Sequence, residues 1–143
     1  VKGRPLKKAI FEGLVFDTNA QALDATYVGD EPCYVIDDDG FLRHISAELV
    51  DRQIWEELTK DIEGNEDILS HKAAEMMGQE DPFSIAVIRS QFERTDEQFA
   101  QLQEHGFPQD ARMFMGMVGF QAIVDYRGQL LELKQPSAID DEE

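Results

Sequence analysis

Cysteine is almost missing from this chain: Cys33 is the only one in 143 residues. No intrachain disulfide can form, and the framework is not that of a small secreted domain stapled by bridges. A reducing, cytoplasmic setting is the expectation. Long apolar runs are also missing. None exceeds four residues, against the ~20 needed to cross a bilayer, and no basic segment followed by an apolar one opens the chain as a secretory signal would. Neither membrane insertion nor a signal peptide is expected. Positive charge is scarce, with 13 Lys and Arg against 30 Asp and Glu, a formal net charge of −17. The resulting negative field repels nucleic-acid phosphates and anionic lipid, so neither nucleic acid nor a membrane is an expected partner.

The recognisable signatures of chemistry are absent as well. There is no G-x-x-x-x-G-K-[ST] and no G-x-G-x-x-G; Gly116-Met117-Val118-Gly119 leads into a strand pattern rather than following one. Ser46, Ser70, Ser84, Ser90 and Ser137 lack the setting of a nucleophile elbow. Of His44, His71 and His105 no two stand at the spacing of a local metal-ligand motif, and no cysteine cluster completes a zinc site. Asp37-Asp38-Asp39-Gly40 resembles part of a calcium loop, but placing Gly40 at the sixth position puts Val35 at the first ligand, so a hairpin turn is the better reading. No cofactor and no metal are therefore expected. The one acid/base arrangement with local support is His44 with Glu48 or with the Asp37–Asp39 turn.

What is present is a globular pattern: 42% hydrophobic residues with 9% aromatics, enough for a core at this length. Residues 1–8 form a basic arm with Lys2, Arg4, Lys7 and Lys8; residues 136–143 form an acidic tail ending Asp140-Asp141-Glu142-Glu143. Residues 9–135 read as a single α+β domain. Short apolar β-forming runs over 9–16, 22–28, 33–37 and 41–45 are separated by turn chemistry, and a second pair over 120–125 and 129–134 flanks Tyr126-Arg127-Gly128. Connections this short favour antiparallel neighbours. The expected architecture is an antiparallel sheet of about five to six strands, an N-terminal meander plus a C-terminal hairpin, with three to four helices between them packed on one side. Leu14-Val15-Phe16-Asp17, Tyr34-Val35-Ile36-Asp37 and Ala122-Ile123-Val124-Asp125 each place an aspartate after an apolar run and before a turn. This reads as repeated hairpin chemistry, with aspartate oxygens satisfying turn amides. Cys33, within the third run, reads as a small buried apolar group rather than a nucleophile.

Helical spacing occupies the middle. Leu49, Ile54, Leu58 and Ile62 recur at near-helical intervals; Leu69, Ala73, Met76 and Met77 lie on a second stripe; Asp81-Pro82 is a start signal. One long helix is expected from about Pro82 to Glu104, where Ile85, Ile88, Phe92, Thr95, Phe99 and Leu102 follow heptad spacing. Met113, Phe114, Met115 and Met117 on a short following helix read as core gap-fillers. The functional expectation is a non-catalytic acidic protein acting by association, as a homodimer or as an accessory subunit bound to a basic protein, with Ile85, Ile88, Phe92, Phe99 and Leu102 at the interface. A small apolar ligand held beside the Met/Phe-rich helices is the alternative, and a small acid/base enzyme using His44 is a second.

Overall fold

The computed structural model describes residues 6–135. The acidic tail and the part of the basic arm carrying Lys2 and Arg4 lie outside the described residues. The chain divides into two compact units, one made of the residues up to Ile54 together with those from Gln101 onward, the other of Trp55–Ala100. Eleven elements follow in the order β1 (Val15–Phe16), β2 (Asp24–Val28), β3 (Glu31–Asp38), β4 (Phe41–Ser46), α1 (Ala47–Thr59), α2 (Glu66–Met77), α3 (Pro82–Phe92), α4 (Thr95–His105), α5 (Gln109–Met117), β5 (Gln121–Val124) and β6 (Leu130–Lys134). The class is α+β. Among the described residues no helix is long and apolar enough to cross a membrane.

Among the described residues the strands lie in two three-stranded sheets rather than one sheet of five or six, and there are five helices in place of the expected three to four. The meander is as expected: β2, β3 and β4 pair antiparallel through tight turns, with Thr26 opposite Cys33 and Val35 opposite His44. The C-terminal hairpin β5–β6 is antiparallel, with an irregularity between Ile123 and Val124. It takes β1 as a parallel neighbour, Val15 opposite Ala122. That pairing joins residues more than a hundred positions apart, so no turn in the sequence announces it. Gln53 on α1 ties the hairpin down, its Nε2 donating to the Gly128 carbonyl at 2.8 Å and its Oε1 accepting from the Leu130 N–H at 2.9 Å. Gly128 has φ +86°, and a Cβ there would come within 2.5 Å of Ile45 Cγ2, so this close approach requires glycine.

The first apolar run is where the expected strand fails. Only Val15 and Phe16 are extended, and residues 10–13 turn instead, with Leu14 N–H donating to Phe11 O at 2.8 Å. The reason is a buried polar group. Helix α1 buries Ala47, Val50, Asp51 and Ile54, a stripe at i, i+3, i+4 and i+7, leaving Leu49 exposed. Asp51 is 1% exposed. Its Oδ2 accepts from the Ile10 N–H at 2.8 Å, and its Oδ1 accepts from the Tyr34 hydroxyl at 2.6 Å. The same hydroxyl accepts from the Phe11 N–H at 3.2 Å. Two main-chain amides that a strand would have paired are thus satisfied by α1 and β3. Ile10 and Phe11 can then be fully buried, with the Phe11 ring stacked on Phe120 and edge-on to Phe107.

In the second unit, α2 ends at Gly78 with φ +72°, where Gln79 N–H donates to Ala74 O in a Schellman-type closure. Asp81 caps α3: its Oδ2 accepts from the Ser84 N–H at 3.0 Å, and Pro82 occupies the first turn. Hydrogen bonds accepted from the Ser84 N–H and from the Ser84 hydroxyl, the latter at 2.8 Å, hold the Asp81 carboxyl below its ordinary value. The single helix expected from about Pro82 to Glu104 is two helices broken at Glu93-Arg94. The Gln91 carbonyl accepts from Arg94 N–H and from Gln98 Nε2, and Thr95-Asp96-Glu97 opens α4 with acids in its first turn, where the helix dipole favours them. The Thr95 carbonyl accepts from Trp55 Nε1 at 3.1 Å, and the Trp55 ring lies 6.1 Å from that of Phe99. The heptad seam is therefore divided between two helices.

Burial, the largest cause, pushes the Asp51 carboxyl up to about 7 from an ordinary 3.8, while the bonds from Tyr34 and Ile10 pull it back. The unfolded chain releases this proton near pH 4 and the folded chain keeps it to near pH 7. Stability contributed here is therefore complete below pH 4 and is lost as pH rises toward 7, by at most about 4 kcal/mol. Denaturant unfolding at pH 5 and pH 8 should show wild type weaker at pH 8 and Asp51→Asn nearly level between the two; equal slopes would remove Asp51 from this role. Tyr34→Phe, which strands the Phe11 N–H, should cost about 1–3 kcal/mol.

Candidate functional site

The three recurring aspartates meet. Asp17 follows β1, Asp37 lies near the end of β3 and Asp125 follows β5, and each shapes its own turn. Asp17 Oδ1 accepts from the Asn19 and Gln21 N–H groups at 2.8 and 3.0 Å. Asp37 Oδ1 accepts from Gly40 N–H at 2.7 Å. Asp125 Oδ1 accepts from the Arg127 and Gln129 N–H groups, both at 2.9 Å. With Asp38 and Asp39 they line an open cleft of about 490 Å³. The recurrence is turn chemistry, and the topology gathers it at one end of the strands. Among the described residues no three His, Cys, Asp or Glu side chains converge closely enough to hold a metal ion. Asp38 is turned aside by Arg43, whose Nε donates to it at 2.8 Å while the guanidinium lies over the rings of Phe41 and Tyr126.

His44 is exposed on β4 and is not joined to the carboxylates near it in sequence. Glu48 pairs with Arg52 at 3.2 Å, and Asp38 pairs with Arg43. His71 Nδ1 meets the Asp67 carbonyl at 2.9 Å. Cys33 is buried, and desolvation together with Glu31 pushes its thiol up, away from the thiolate a nucleophile needs.

The five residues expected at an interface are separated by the helix break. Ile85, Ile88 and Phe92 are half-buried on α3; Phe99 is buried and Leu102 half-buried on α4. Other apolar groups of the second unit are more exposed than these. Met76 is 87% exposed and Phe83 is 77% exposed, with Met77 and Val87 also open, at the corner where α2 turns into α3. On α5, Met113, Phe114 and Met117 lie at the surface and only Met115 is half-buried, so this segment does not fill a core. Its outward residues recur at three- and four-residue spacing, a periodicity that marks one face without saying whether that face is covered. No protein-family model matches the chain, and comparison with curated proteins and with solved structures finds no significant match.

Because one oxygen of each recurring aspartate is committed to turn amides, calcium should not find a site in the acidic cleft. Added to chelator-treated protein, calcium is expected to raise the melting temperature no more than sodium chloride of the same ionic strength. A rise of many degrees at micromolar calcium would show specific binding instead.

Proposed function

We propose that this protein acts by association with a basic partner protein, through the apolar corner formed by the end of α2 and the start of α3. One observation carries this reading: α3, the most apolar of the five helices, buries none of its eleven residues. A helix of that composition normally covers its apolar stripe, and exposed contiguous apolar surface marks an interaction site. Methionine suits such a surface because its unbranched, polarisable side chain adapts to what packs on it. Phe83 and Val87 take the place of Ile85, Ile88 and Phe92 as the outward anchors. Phe99 is buried beside Trp55 within the unit.

Charge decides the kind of partner. Glu75, Glu80 and Asp81 adjoin the apolar corner in sequence, and the whole chain carries −17. A second copy would bring the same acidic rim against this one, whereas a partner with an apolar stripe edged by Lys and Arg would be attracted and oriented. The buried, protonated thiol of Cys33 is compatible with a reducing, cytoplasmic setting.

A synthetic amphipathic helix of leucine and lysine provides the test. It should bind saturably and more weakly as salt is raised. The double variant Met76→Ser, Phe83→Ser should lose that binding by roughly a hundredfold, as two apolar anchors worth about 1.5 kcal/mol each are removed. Met113→Ser, Met117→Ser should leave it unchanged. Equal binding by both double variants would overturn the assignment of this corner, and light scattering showing the chain alone at twice 16.3 kDa would give the surface to a second copy.

A further inference from the structure

Five of the described basic side chains, Arg43, Arg52, Lys60, Arg89 and Arg94, each lie within 4 Å of a carboxylate. Lys8 and Arg112 are among the described basic residues with no carboxylate that close, and of these they are the two that line one cleft of about 330 Å³ in the first unit, with Tyr27 and Phe107 among its other walls. We propose that this cleft binds a compact small molecule that presents an oxyanion, a carboxylate or a phosphate, to Lys8 and Arg112 and an apolar body to the aromatic walls.

The Arg112 guanidinium is held in place by main-chain carbonyls, and Lys8 is fixed at its backbone and along its stem. Arg112 Nε donates to the Phe107 carbonyl at 3.2 Å and its Nη1 to the Glu12 carbonyl at 2.9 Å. The plane of the guanidinium is fixed from two sides, while its charge is left unneutralised and Nη2 is without a partner among the described residues. A guanidinium fixed in this way presents planar donors to an oxyanion at little further entropic loss. Lys8 is anchored at its own N–H, which donates to Gln103 O at 2.7 Å. Its stem lies against Gly106, where an added Cβ would come within 2.9 Å of Lys8 Cδ. Gly106 has φ +77°, so the turn suits glycine twice over, for its backbone and for the passage of the lysine.

The two aromatic walls are also fixed. The Tyr27 hydroxyl donates to Lys7 O at 2.8 Å, and the Phe107 ring packs edge-on to the buried Phe11. Among the described residues Glu12 is the one acid lining the cleft, so Lys8 and Arg112 leave a local excess of one positive charge there before His105 is counted. The field of the whole chain repels extended polyanions such as nucleic acid, whereas the local charge acts only at short range. The cleft volume lies at the small end of those that take organic ligands. These features together select a small singly or doubly charged anion. The site is separate from the apolar corner of α2 and α3 and does not depend on the function proposed for it.

Titration of the full chain with phenyl phosphate and, separately, with benzoate, followed by amide and Arg Nε chemical shifts, tests the proposal. At least one probe should give saturable shifts centred on Lys8, Gly106 and Arg112 Nε, and the tighter of the two identifies phosphate or carboxylate as the preferred group. Phenol, which has the ring without the anion, should give none. Lys8→Gln should weaken binding roughly tenfold, as expected for one lost charge-assisted contact, and Lys60→Gln should not. Arg112→Gln should abolish binding; should it fail to fold, Lys8→Gln decides alone, because no side-chain hydrogen bond of Lys8 supports the fold among the described residues. Shifts that do not saturate by about 10 mM, a free energy weaker than some 3 kcal/mol, would overturn the proposal. So would unaltered affinity in Lys8→Gln, or equal shifts around Lys72 and Lys134.

Discussion

The first unit is organised around a single carboxyl group in an apolar interior. Asp51 stands on the buried stripe of α1 and accepts hydrogen bonds from the Ile10 main chain and the Tyr34 ring hydroxyl, which in turn accepts from Phe11. Helix α1, strand β3 and the segment before β1 meet at these three bonds. Burying a carboxyl carries a desolvation penalty, which is why its proton is held to near neutrality. In exchange, two amides that pair with no strand are satisfied, and the side chains beside them enter the core. Removing one partner would leave the others buried and unsatisfied, so the cluster acts as a unit rather than as three separate contacts.

That arrangement has consequences further along the chain. With residues 10–13 folded into a turn, β1 is reduced to two residues, and its pairing with β5 draws the C-terminal hairpin alongside the start of the chain. Phe11 then stacks on Phe120 and meets Phe107 edge-on in one cluster, which fixes the Phe107 loop whose carbonyl holds Arg112. The second unit follows another logic. It has few buried residues, with Ser70, Ala74 and Phe99 as the fully buried ones described, and it displays apolar surface on α3 that a folded monomer ordinarily covers. The contrast between a unit that satisfies its interior and one that leaves an apolar helix open is what supports the proposal of association made above.

Much of the first unit can be read from local sequence. The β2–β4 meander and the β5–β6 hairpin are set by alternating apolar runs and by Asp and Gly at the turns, signals contained within a few residues. The aspartate recurrence predicted turn chemistry correctly; its gathering into one cleft depends on β1 pairing with β5, which no local feature encodes. The run from Ala9 to Phe16 looks like a strand because the groups that satisfy its amides lie 41 and 23 positions away. On α1, counting apolar residues selected Leu49 and passed over Asp51, since a carboxylate is not counted as core; its i, i+4 relation to Ala47 was the available clue. The break before Thr95 had a clue as well, a helix-start pattern of Thr followed by two acids, masked by heptad spacing that continues across it. Of the candidate sites, Lys8 and Arg112 stand 104 positions apart and their convergence is a property of the fold alone.

Native-state hydrogen exchange at the Ile10 and Phe11 amides tests the central claim most directly. If Asp51 and Tyr34 hold this segment as an integral part of the first unit, both amides should exchange as slowly as the paired amides of β3, through openings close to global unfolding. Exchange at the rate of an exposed turn, while β3 stays protected, would contradict the account and reduce the buried carboxyl to a local contact.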